Sequence, residues 1–316
     1  MTLHTLGGES MGTRWSVRLT AARDADLRAL HAGIEARLAL VVRQMSTWEA
    51  GSDISAYNRA DAGTWQSIPP EFATVLACAL AIAETSDGAF DPTVGALVGL
   101  WGFGADAQTT TPDAARVQAT QASTGWKRIT FDQAQSRVLQ PGGVHLDLSA
   151  IAKGFAVDLV IAHLMDAGIE AALVEVGGEL RGYGRKPDGS GWRVLVEAGP
   201  EEDDHALEPR VLELDGIAVA SSGDRWHAYE RDGRRYTHTI DPRRGEPVEH
   251  APAAVTVIAG SAMQADGWAT ALTVLGAEAG FALAQRRGIA ARFLERGSDG
   301  LHERMTDAFR ARLVAA

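Results

Sequence analysis

The sequence predicts an α+β fold with mostly antiparallel sheets flanked by helices and arranged in two lobes. Turn residues between short apolar runs predict hairpins around residues 141–143, 232–233 and 299–300. Strand patterns run into helical patterns over 144–167 and again over 253–275, so two parts of the chain have a coarse similarity. No G-x-G-x-x-G follows a predicted strand and no Walker loop is present, which disfavours a Rossmann or P-loop protein.

The first half of the chain predicts one strand followed by helices and ordered loops. Residues 10–19 alternate as a half-buried strand does. Residues 24–45 carry apolar side chains at three- and four-residue spacing and predict an amphipathic helix. Pro69-Pro70 opens a second helix that runs to about Thr85, because proline in the first turn loses no hydrogen bond there. The other predictions are an ordered turn over 89–95, an apolar loop over 97–103, a short helix from Thr111 and a hairpin over 127–146.

The second half predicts more strands and the longer helices. A helix from Ala150 to about Ala167 ends at Gly168, a residue type that readily takes φ > 0. Two further helices are expected over 262–275 and 276–287. The expected strands are 171–176, 192–197, 211–220, 255–259 and a last one from residue 291.

Composition sets limits on function. The chain has 316 residues, of which 46% are hydrophobic and 22% charged, as in a globular protein with an ample core. We expect a single domain over residues 5–316, without a separate linker. The formal net charge of -11, without a Lys/Arg cluster, disfavours binding to nucleic acid or anionic membranes. Cys78 is the single cysteine, so an intrachain disulfide and a cysteine-rich metal site are both excluded.

The N-terminus has no charged segment followed by a long apolar segment, and no apolar run in the sequence is long enough to suggest a transmembrane helix. We therefore expect a cytoplasmic protein as the sequence stands. The alternative is a periplasmic or membrane-anchored protein whose leader has been removed.

The segment from Val144 to Asp158 predicts a strand that runs into the first turn of a helix. Asp147 and Ser149 are residue types that cap free backbone amides at a helix start. Lys153 follows one turn later, and a helix N-terminus beside a lysine can bind phosphate. A capped helix with a solvated lysine is the alternative interpretation.

Four further residues have side chains suited to chemistry or binding. Asp266 and Thr270 lie four apart on a predicted helix and share a face, so their hard oxygen atoms suit Mg2+; a structural helix cap is the alternative. His238 stands at a strand end beside a turn, where it is either a general base or a structural histidine. Trp48, in a polar loop, either stacks on a ligand or anchors the loop.

Together these segments closely resemble one family, the ApbE family of FAD:protein FMN transferases. The matching segments occur in the family's order over nearly the whole chain, which makes the set specific although each alone is weak. They are Met11 to Thr13, Met45 to Asn58, Phe90 to Gly95 with Trp101 to Phe103, Asp147 to Gly154, Val176 to Gly178, Ser222 to Asp224, His238 to Gly245, and Ala265 to Thr270.

The resemblance implies an ApbE-like two-lobed fold with the ligand cleft between the lobes, and it implies roles for particular residues. FAD is the substrate and Mg2+ is held at its pyrophosphate by Asp266, Thr270 and the carbonyl of Ala150. His238, Lys153 and Asp266 are the catalytic set, with His238 accepting the proton of the acceptor hydroxyl. The flavin nucleotide is contacted by Met11, Trp48, Ala89, Phe90, Asp91, Asp147, Lys153, Gly177, Gly178, Ser222 and Gly223.

The implied reaction moves FMN from FAD to a Thr or Ser hydroxyl of an acceptor flavoprotein, forms a phosphoester and releases AMP. Acceptors of the family carry a motif like Asp-Gly-x-Ser/Thr-Gly-Ala/Ser-Thr, and the nearest segment here, Asp188 to Gly191, lacks its second half. The chain is therefore interpreted as the transferase and not the acceptor. Two alternatives remain open: a pyrophosphatase that hydrolyses FAD to FMN and AMP, and a non-catalytic flavin-binding or delivery protein.

Overall fold

An eight-stranded antiparallel sheet forms the centre of one of the two units into which the chain divides. The computed structural model describes residues 1–105, 107–108, 110–196, 207–208, 210–223, 228–231, 234–249, 252–297 and 300–314. Unit 1 comprises residues 1–40, 153–223 and 252–316, and unit 2 comprises residues 41–152 and 224–251. The expectation of one domain over residues 5–316 stays a prediction.

The strands of the described residues are short and numerous. In chain order they are β1 (Thr2–Ser10), β2 (Thr13–Ala21), β3 (Thr64–Ser67), β4 (Thr130–Asp132), β5 (Arg137–Gln140), β6 (Ala172–Val176), β7 (Glu179–Tyr183), β8 (Trp192–Val196), β9 (Arg210–Leu214), β10 (Ile217–Ser222), β11 (Ala228–Arg231), β12 (Arg234–Thr237), β13 (Ile240–Asp241), β14 (Glu246–Pro247), β15 (Ala254–Ala259), β16 (Ala290–Gly297), β17 (Gly300–Met305) and β18 (Leu313–Val314).

The helices range from one turn to seven. They are α1 (Leu27–Met45), α2 (Asp53–Arg59), α3 (Pro70–Thr85), α4 (Gly95–Leu100), α5 (Ala114–Gln121), α6 (Ser149–Asp166), α7 (Ala262–Arg287) and α8 (Asp307–Arg310), with a 3-10 turn at Trp126–Arg128.

The sheet of unit 1 has the strand order β1-β2-β6-β7-β10-β15-β16-β17, with every neighbouring pair antiparallel. Helix α7 packs its small apolar residues Ala265 and Ala269, with Leu272, against Val255, Phe293 and their neighbours in the sheet. Such small side chains let helix and sheet approach closely. A second cluster, around Trp192 and Leu212, lies under the three-stranded sheet β18-β9-β8.

Unit 2 contains α2 to α5 and three small antiparallel sheets, β3-β5-β4, β11-β12 and β13-β14. One of its cores joins α4, α5 and the segment around β12 and β13, through Leu97, Trp101, Val117, Tyr236 and Ile240. Because Trp101 also donates its Nε1–H to the carbonyl of Gly245 over 2.7 Å, the segment that carries His238 is fixed to α4.

Most predicted elements are confirmed, and five predictions are wrong. The strand predicted at the start of the segment from Val144 to Asp158 does not form: His145 makes an isolated bridge to Val94, and the chain then enters α6 at Ser149. Residues 10–19 belong to two strands, because Met11 and Gly12 both take positive φ (54° and 70°) and form a hairpin turn. The predicted strand 211–220 is likewise two strands, β9 and β10. The expected apolar loop over 97–103 contains the one-and-a-half-turn helix α4, and the segment from Arg128 starts as a 3-10 turn.

The predicted break between helices at Gly276 is confirmed, since Gly276 has φ 77° within α7. The turn residues 232–233 and 298–299 lie outside the described residues, as do Glu197 and Asp224. Among the described residues α7 is the single helix long and apolar enough to cross a membrane by length and composition alone, and its apolar residues pack in the core of unit 1.

Candidate active site

Helices α6 and α7 approach each other closely at a glycine. The N–H of Gly154 donates to Asp266 Oδ2 over 3.0 Å. A Cβ at position 154 would overlap the backbone carbonyl of Ala262, so only glycine fits there. In a regular helix the N–H of Gly154 would donate to the carbonyl of Ala150. The bond to Asp266 competes with that helical bond, and the carbonyl of Ala150 is the one that the family resemblance assigns to the metal.

Asp158, one turn further along α6, fixes the start of α7. Its Oδ1 and Oδ2 accept the N–H groups of Ala262 and Met263, each over 3.0 Å. Arg181 of β7 donates to Asp158 Oδ1 over 2.6 Å. A carboxylate at a helix N-terminus satisfies free amides and complements the helix dipole. Asp158 and Gly154 therefore set where Asp266 lies relative to α6.

Lys153, Glu179 and Asp266 form a cluster of one cation and two carboxylates. Lys153 Nζ lies 2.6 Å from Glu179 Oε1 and 4.0 Å from Asp266 Oδ1. Burial favours the neutral amine of Lys153, but the two carboxylates outweigh it and raise the pKa of the lysine. Burial raises the pKa of Asp266, which Lys153 opposes. Burial and the nearby Asp266 also raise the pKa of Glu179, to about 8.

Glu179 has only one of its two carboxylate oxygens hydrogen-bonded within the described residues. Within the described part of the chain, Glu179 Oε2 is buried and has no hydrogen-bond partner. A buried carboxylate oxygen without a donor is costly, and such groups concentrate where the protein has a function for them. The cluster is therefore an electrostatically unfavourable arrangement that a cation would relieve.

Thr270 and Thr273 lie on the same helix with different hydroxyl environments. Thr273 is fully buried and donates to the carbonyl of Ala269 over 2.8 Å. Thr270 is only partly buried, and its hydroxyl makes no hydrogen bond within the described residues.

Asp266 and Thr270 have the chemistry of a metal site. A carboxylate and a hydroxyl one turn apart are hard oxygen donors that fit Mg2+. The described residues contain no group of three His, Cys, Asp or Glu suited to a metal, so further ligands would be backbone, water or substrate oxygens.

The turn at Met11 and the glycine pair after β6 come together beside Lys153. Gly177 has φ 62°, and a Cβ there would lie 2.9 Å from Thr13 Cγ2 and 3.3 Å from Lys153 Cδ. The N–H of Gly177 also donates to the carbonyl of Arg14 over 3.0 Å. Unit 1 thus gathers Thr13, Lys153, Gly177 and Asp266 around one region, and Met11 lies two residues before Thr13. Gly178, with φ 104°, is exposed next to it.

Ser222 and Gly223 end β10 on the other side of the sheet's centre. Gly223 is buried, and a Cβ there would overlap the carbonyl of Ala253. This glycine is therefore required by close backbone packing, whether or not it also contacts a ligand. Ser222 is partly buried.

In unit 2, Trp48 has its ring in solvent. It is 71% exposed, so the interpretation that it anchors the loop to the core is wrong. The loop itself is ordered by other residues: Ser52 donates to the carbonyl of Ser46 over 2.7 Å, and Arg59 donates to the carbonyl of Ala50 over 2.7 Å. An exposed indole on a fixed loop is available for stacking on an aromatic ligand.

Asp91 organises the loop that follows α3. Its Oδ1 accepts the N–H and the hydroxyl of Thr93 over 2.8 and 2.6 Å, and its Oδ2 accepts the N–H of Trp126 over 2.9 Å. Burial raises the pKa of Asp91, and these hydrogen bonds oppose that effect. Ala89 and Phe90 are buried too, so this segment exposes little of its surface.

Asp147 is placed by its neighbours in the same unit. The side-chain amide of Asn58 pairs with both backbone groups of Leu146, accepting its N–H over 2.7 Å and donating to its carbonyl over 3.0 Å. The N–H of Asp147 donates to the carbonyl of Pro92 over 2.8 Å. Asp147 Oδ1 accepts the N–H and the hydroxyl of Ser149, so the predicted capping role is confirmed for Asp147, whereas the Ser149 hydroxyl acts as a donor to Asp147.

His238 is half-buried in the connection between β12 and β13. Its neighbours are held firmly: Thr237 donates to the carbonyl of Val248 over 3.2 Å, and the N–H of Val248 donates to the carbonyl of Thr239 over 2.9 Å. His238 therefore lies in a loop whose neighbouring residues are held by hydrogen bonds.

Comparison with known proteins decides the family. A sequence model of the ApbE family matches residues 11–293. The chain belongs to the ApbE family. It is similar to the FAD:protein FMN transferase of Klebsiella pneumoniae (strain 342), at 35% identity over 99% of this chain and 90% of that protein. It is also similar to the FAD:protein FMN transferase of Vibrio cholerae (strain O395), at 36% identity over 96% and 91% of the two chains.

Solved structures of the ApbE family have the same fold. The apo flavinyl transferase ApbE of Pseudomonas stutzeri superposes with a TM-score of 0.91 at 40% identity, covering 100% of this chain and 98% of that one. The flavin transferase ApbE of Vibrio cholerae gives a TM-score of 0.89 at 34% identity, covering 99% and 100%. The predicted α+β ApbE-like fold is confirmed, and this ApbE-family chain is an enzyme of the transferase class.

Sequence reasoning missed three residues that position the site of this ApbE-family chain. Glu179 contacts Lys153, and Asp158 accepts a backbone N–H at the start of α7. Asn58 fixes the backbone beside Asp147. Glu179 directly follows the glycine pair after β6, which is the signal that would have singled it out. Asp158 and Asn58 carried no comparable local signal, because their partners lie 104 and 88 residues away in the sequence.

Proposed function

We propose that this enzyme transfers FMN from FAD to a Thr or Ser hydroxyl of an acceptor flavoprotein, with Mg2+, and releases AMP. The acceptor oxygen forms a bond to the FMN-side phosphorus, the bond from that phosphorus to the bridging oxygen breaks, and AMP leaves. The proposal rests on the curated names of the relatives. The observation that carries it is the approach of Lys153 to Asp266 beside the Gly177 turn, with Thr270 one turn from Asp266 on α7.

Phosphoryl transfer depends on positioning and charge neutralisation more than on covalent help from the protein. Lys153 would supply one positive charge to the pyrophosphate. Asp266, Thr270 and the carbonyl of Ala150 would hold Mg2+, which would supply further positive charge to the phosphate oxygens. In a chain with a formal net charge of -11, such local cations offset the repulsion of a diphosphate.

The other residues would bind FAD and handle the proton. Trp48 would stack on an aromatic ring of FAD, and His238 would accept the proton of the acceptor hydroxyl as the new bond forms. Asp147 and the backbone of Ala89, Phe90 and Asp91 would contact the nucleotide. Met11, Gly177, Gly178, Ser222 and Gly223 would line it.

The test is to incubate the enzyme with FAD, Mg2+ and a small protein carrying the acceptor motif, and to measure the intact mass of that protein. We expect a gain of one FMN that chelation of the metal abolishes and that His238→Ala slows strongly. FMN and AMP formed in solution at the same rate without any acceptor would instead make the enzyme an FAD pyrophosphatase. FAD binding with neither product would make it a flavin carrier.

A further inference from the structure

The ammonium of Lys153 sits at the end of a flexible side chain and needs a partner to hold it in place. Four rotatable bonds separate it from the backbone, so an unpartnered lysine head group samples many positions. The stem packs near Gly177, and the ammonium contacts Glu179 Oε1 at 2.6 Å. Its distance to Asp266 Oδ1 is 4.0 Å, at the limit of an ion pair. Glu179 is therefore the closer partner.

Asp266 also has a hydrogen bond to the backbone of α6. Its Oδ2 accepts the N–H of Gly154, which leaves Oδ1 as the oxygen that would face a cation. If Oδ1 binds Mg2+, it no longer serves the lysine. Glu179 is then the carboxylate that remains for Lys153.

We infer that Glu179 is the positioning residue of Lys153, holding the lysine ammonium where it meets the pyrophosphate of FAD. This inference rests on the proposed function and adds a residue to it. Glu179 acts through Lys153 and makes no contact of its own with the reacting atoms. It is 3% exposed and belongs to β7, whose backbone is paired on both sides, so the carboxylate is presented from a rigid element.

The unsatisfied second oxygen argues against a purely structural role. A residue selected to stabilise the fold would have both carboxylate oxygens bonded, as Asp158 has, with its Oδ1 and Oδ2 on backbone N–H groups. Glu179 Oε2 has no hydrogen-bond partner among the described residues. Burial and Asp266 raise the pKa of Glu179, and Asp266 stays 4.0 Å from the ammonium of Lys153. Replacing Glu179 by a neutral residue of similar size is thus expected to leave stability unchanged or higher, while the position of Lys153 is lost.

The test is a double-mutant cycle on the full-length enzyme with Glu179→Gln, Lys153→Met and the double variant. The readouts are FAD affinity, from quenching of flavin fluorescence, and kcat/KM for FMN transfer. Glu179→Gln is expected to lower both at least tenfold, with an unchanged or higher midpoint of thermal unfolding. In the Lys153→Met background the same change is expected to have no further effect, because its target is gone. Glu179→Leu removes the contact with Lys153 and not only the charge. It is expected to lower FAD affinity and kcat/KM at least as strongly as Glu179→Gln.

Glu303→Gln is the matched control, since it also neutralises a buried carboxylate bonded to cations, here Arg292 and Arg210. It is expected to reduce stability without changing FAD affinity. Equal effects of Glu179→Gln with and without Lys153, or no effect at all, would overturn the inference. The outcome is separable from the proposed function: wild-type enzyme that modifies no acceptor contradicts the function, whereas the cycle on FAD affinity decides the role of Glu179.

Discussion

Gly154 and Asp266 are joined by a hydrogen bond of 3.0 Å at the one place where α6 has no side chain to separate it from α7. The missing Cβ and the bonded carboxylate belong together, because the bond forms only if the two helices approach this closely. The site therefore depends on a residue without a side chain.

Gly154→Ala is expected to destabilise the protein by about 1–3 kcal/mol, because the added methyl group meets backbone atoms of Ala262 and Met263 that no rotamer change can move. Differential scanning calorimetry would measure the loss. The control is Gly260→Ala, just before α7, where a Cβ meets nothing within 4 Å. Equal stability of the two variants would refute this account of the helix contact.

The two threonines of α7 provide a matched pair for the metal site. Thr270→Val removes a hydroxyl that has no partner within the described part of the chain and is expected to weaken Mg2+ binding about tenfold or more, a loss of at least ~1.4 kcal/mol. Thr273→Val removes a hydroxyl bonded to Ala269 and is expected to alter stability but not metal affinity. Calorimetric titration of Mg2+ in the presence of FAD distinguishes them. Identical metal affinities in the two variants would exclude Thr270 as a ligand.

Trp48→Ala is expected to weaken FAD binding by about 1–3 kcal/mol, the range found for stacking on an aromatic side chain. It should leave the thermal midpoint nearly unchanged, since the ring is 71% exposed. Trp65, which lies over the guanidinium of Arg137 at 4.5 Å, is the control: Trp65→Ala should affect stability slightly and FAD affinity not at all. Flavin fluorescence titrations measure both, and unchanged affinity in Trp48→Ala would contradict the stacking role.

A pH dependence of stability follows from His163 of α6. Burial, and secondarily Arg37, lowers the pKa of His163 from its ordinary value of about 6.5, and Asp166 opposes this in part. Its Nε2 is buried without a hydrogen-bond partner among the described residues and faces Gly33. The unfolded chain then takes up the proton more readily than the folded one. The stability contribution is present above about pH 6.5 and is lost as the pH falls below it.

His163→Gln, which cannot take up a proton, is therefore expected to lose less stability than the wild type between about pH 7 and pH 5. Urea unfolding across this range would show it. The half-buried His4, whose Nε2 lies 3.2 Å from the carbonyl of Ala22, is the control, and His4→Gln should follow the wild type. A His163→Gln protein with the wild-type slope would show that other groups cause the acid destabilisation.

Elements with a strong signal in the local sequence could be predicted. Elements that depend on contacts with distant parts of the chain could not. The spacing in α1 and the proline at the start of α3 placed both helices within a few residues. Strand β1 was missed because its side chains are exposed or half-buried throughout and Gly7-Gly8 interrupts any strand pattern. Helix α4 was missed because six residues ending beside Trp101-Gly102 carry too little periodicity.

The residues of the candidate site also divide into those with a signal in the local sequence and those defined by their contacts in the fold. Lys153, Asp266 and Thr270 could be named because their segments follow the pattern of the ApbE family. The contact of Lys153 with Glu179 could not, since it arises only when α6 packs beside β7, and no local pattern encodes that packing. Trp48 had two interpretations from sequence; its exposed ring excludes the anchoring role, and stacking on a ligand stays a prediction.

The most direct test of the proposed function is to quantify AMP and FMN-modified acceptor in one reaction of the enzyme with FAD, Mg2+ and the acceptor protein. Group transfer predicts that the two appear in equal amounts, at a rate that depends on acceptor concentration. AMP accumulating at one rate with or without the acceptor, beside an acceptor of unchanged mass, would contradict it.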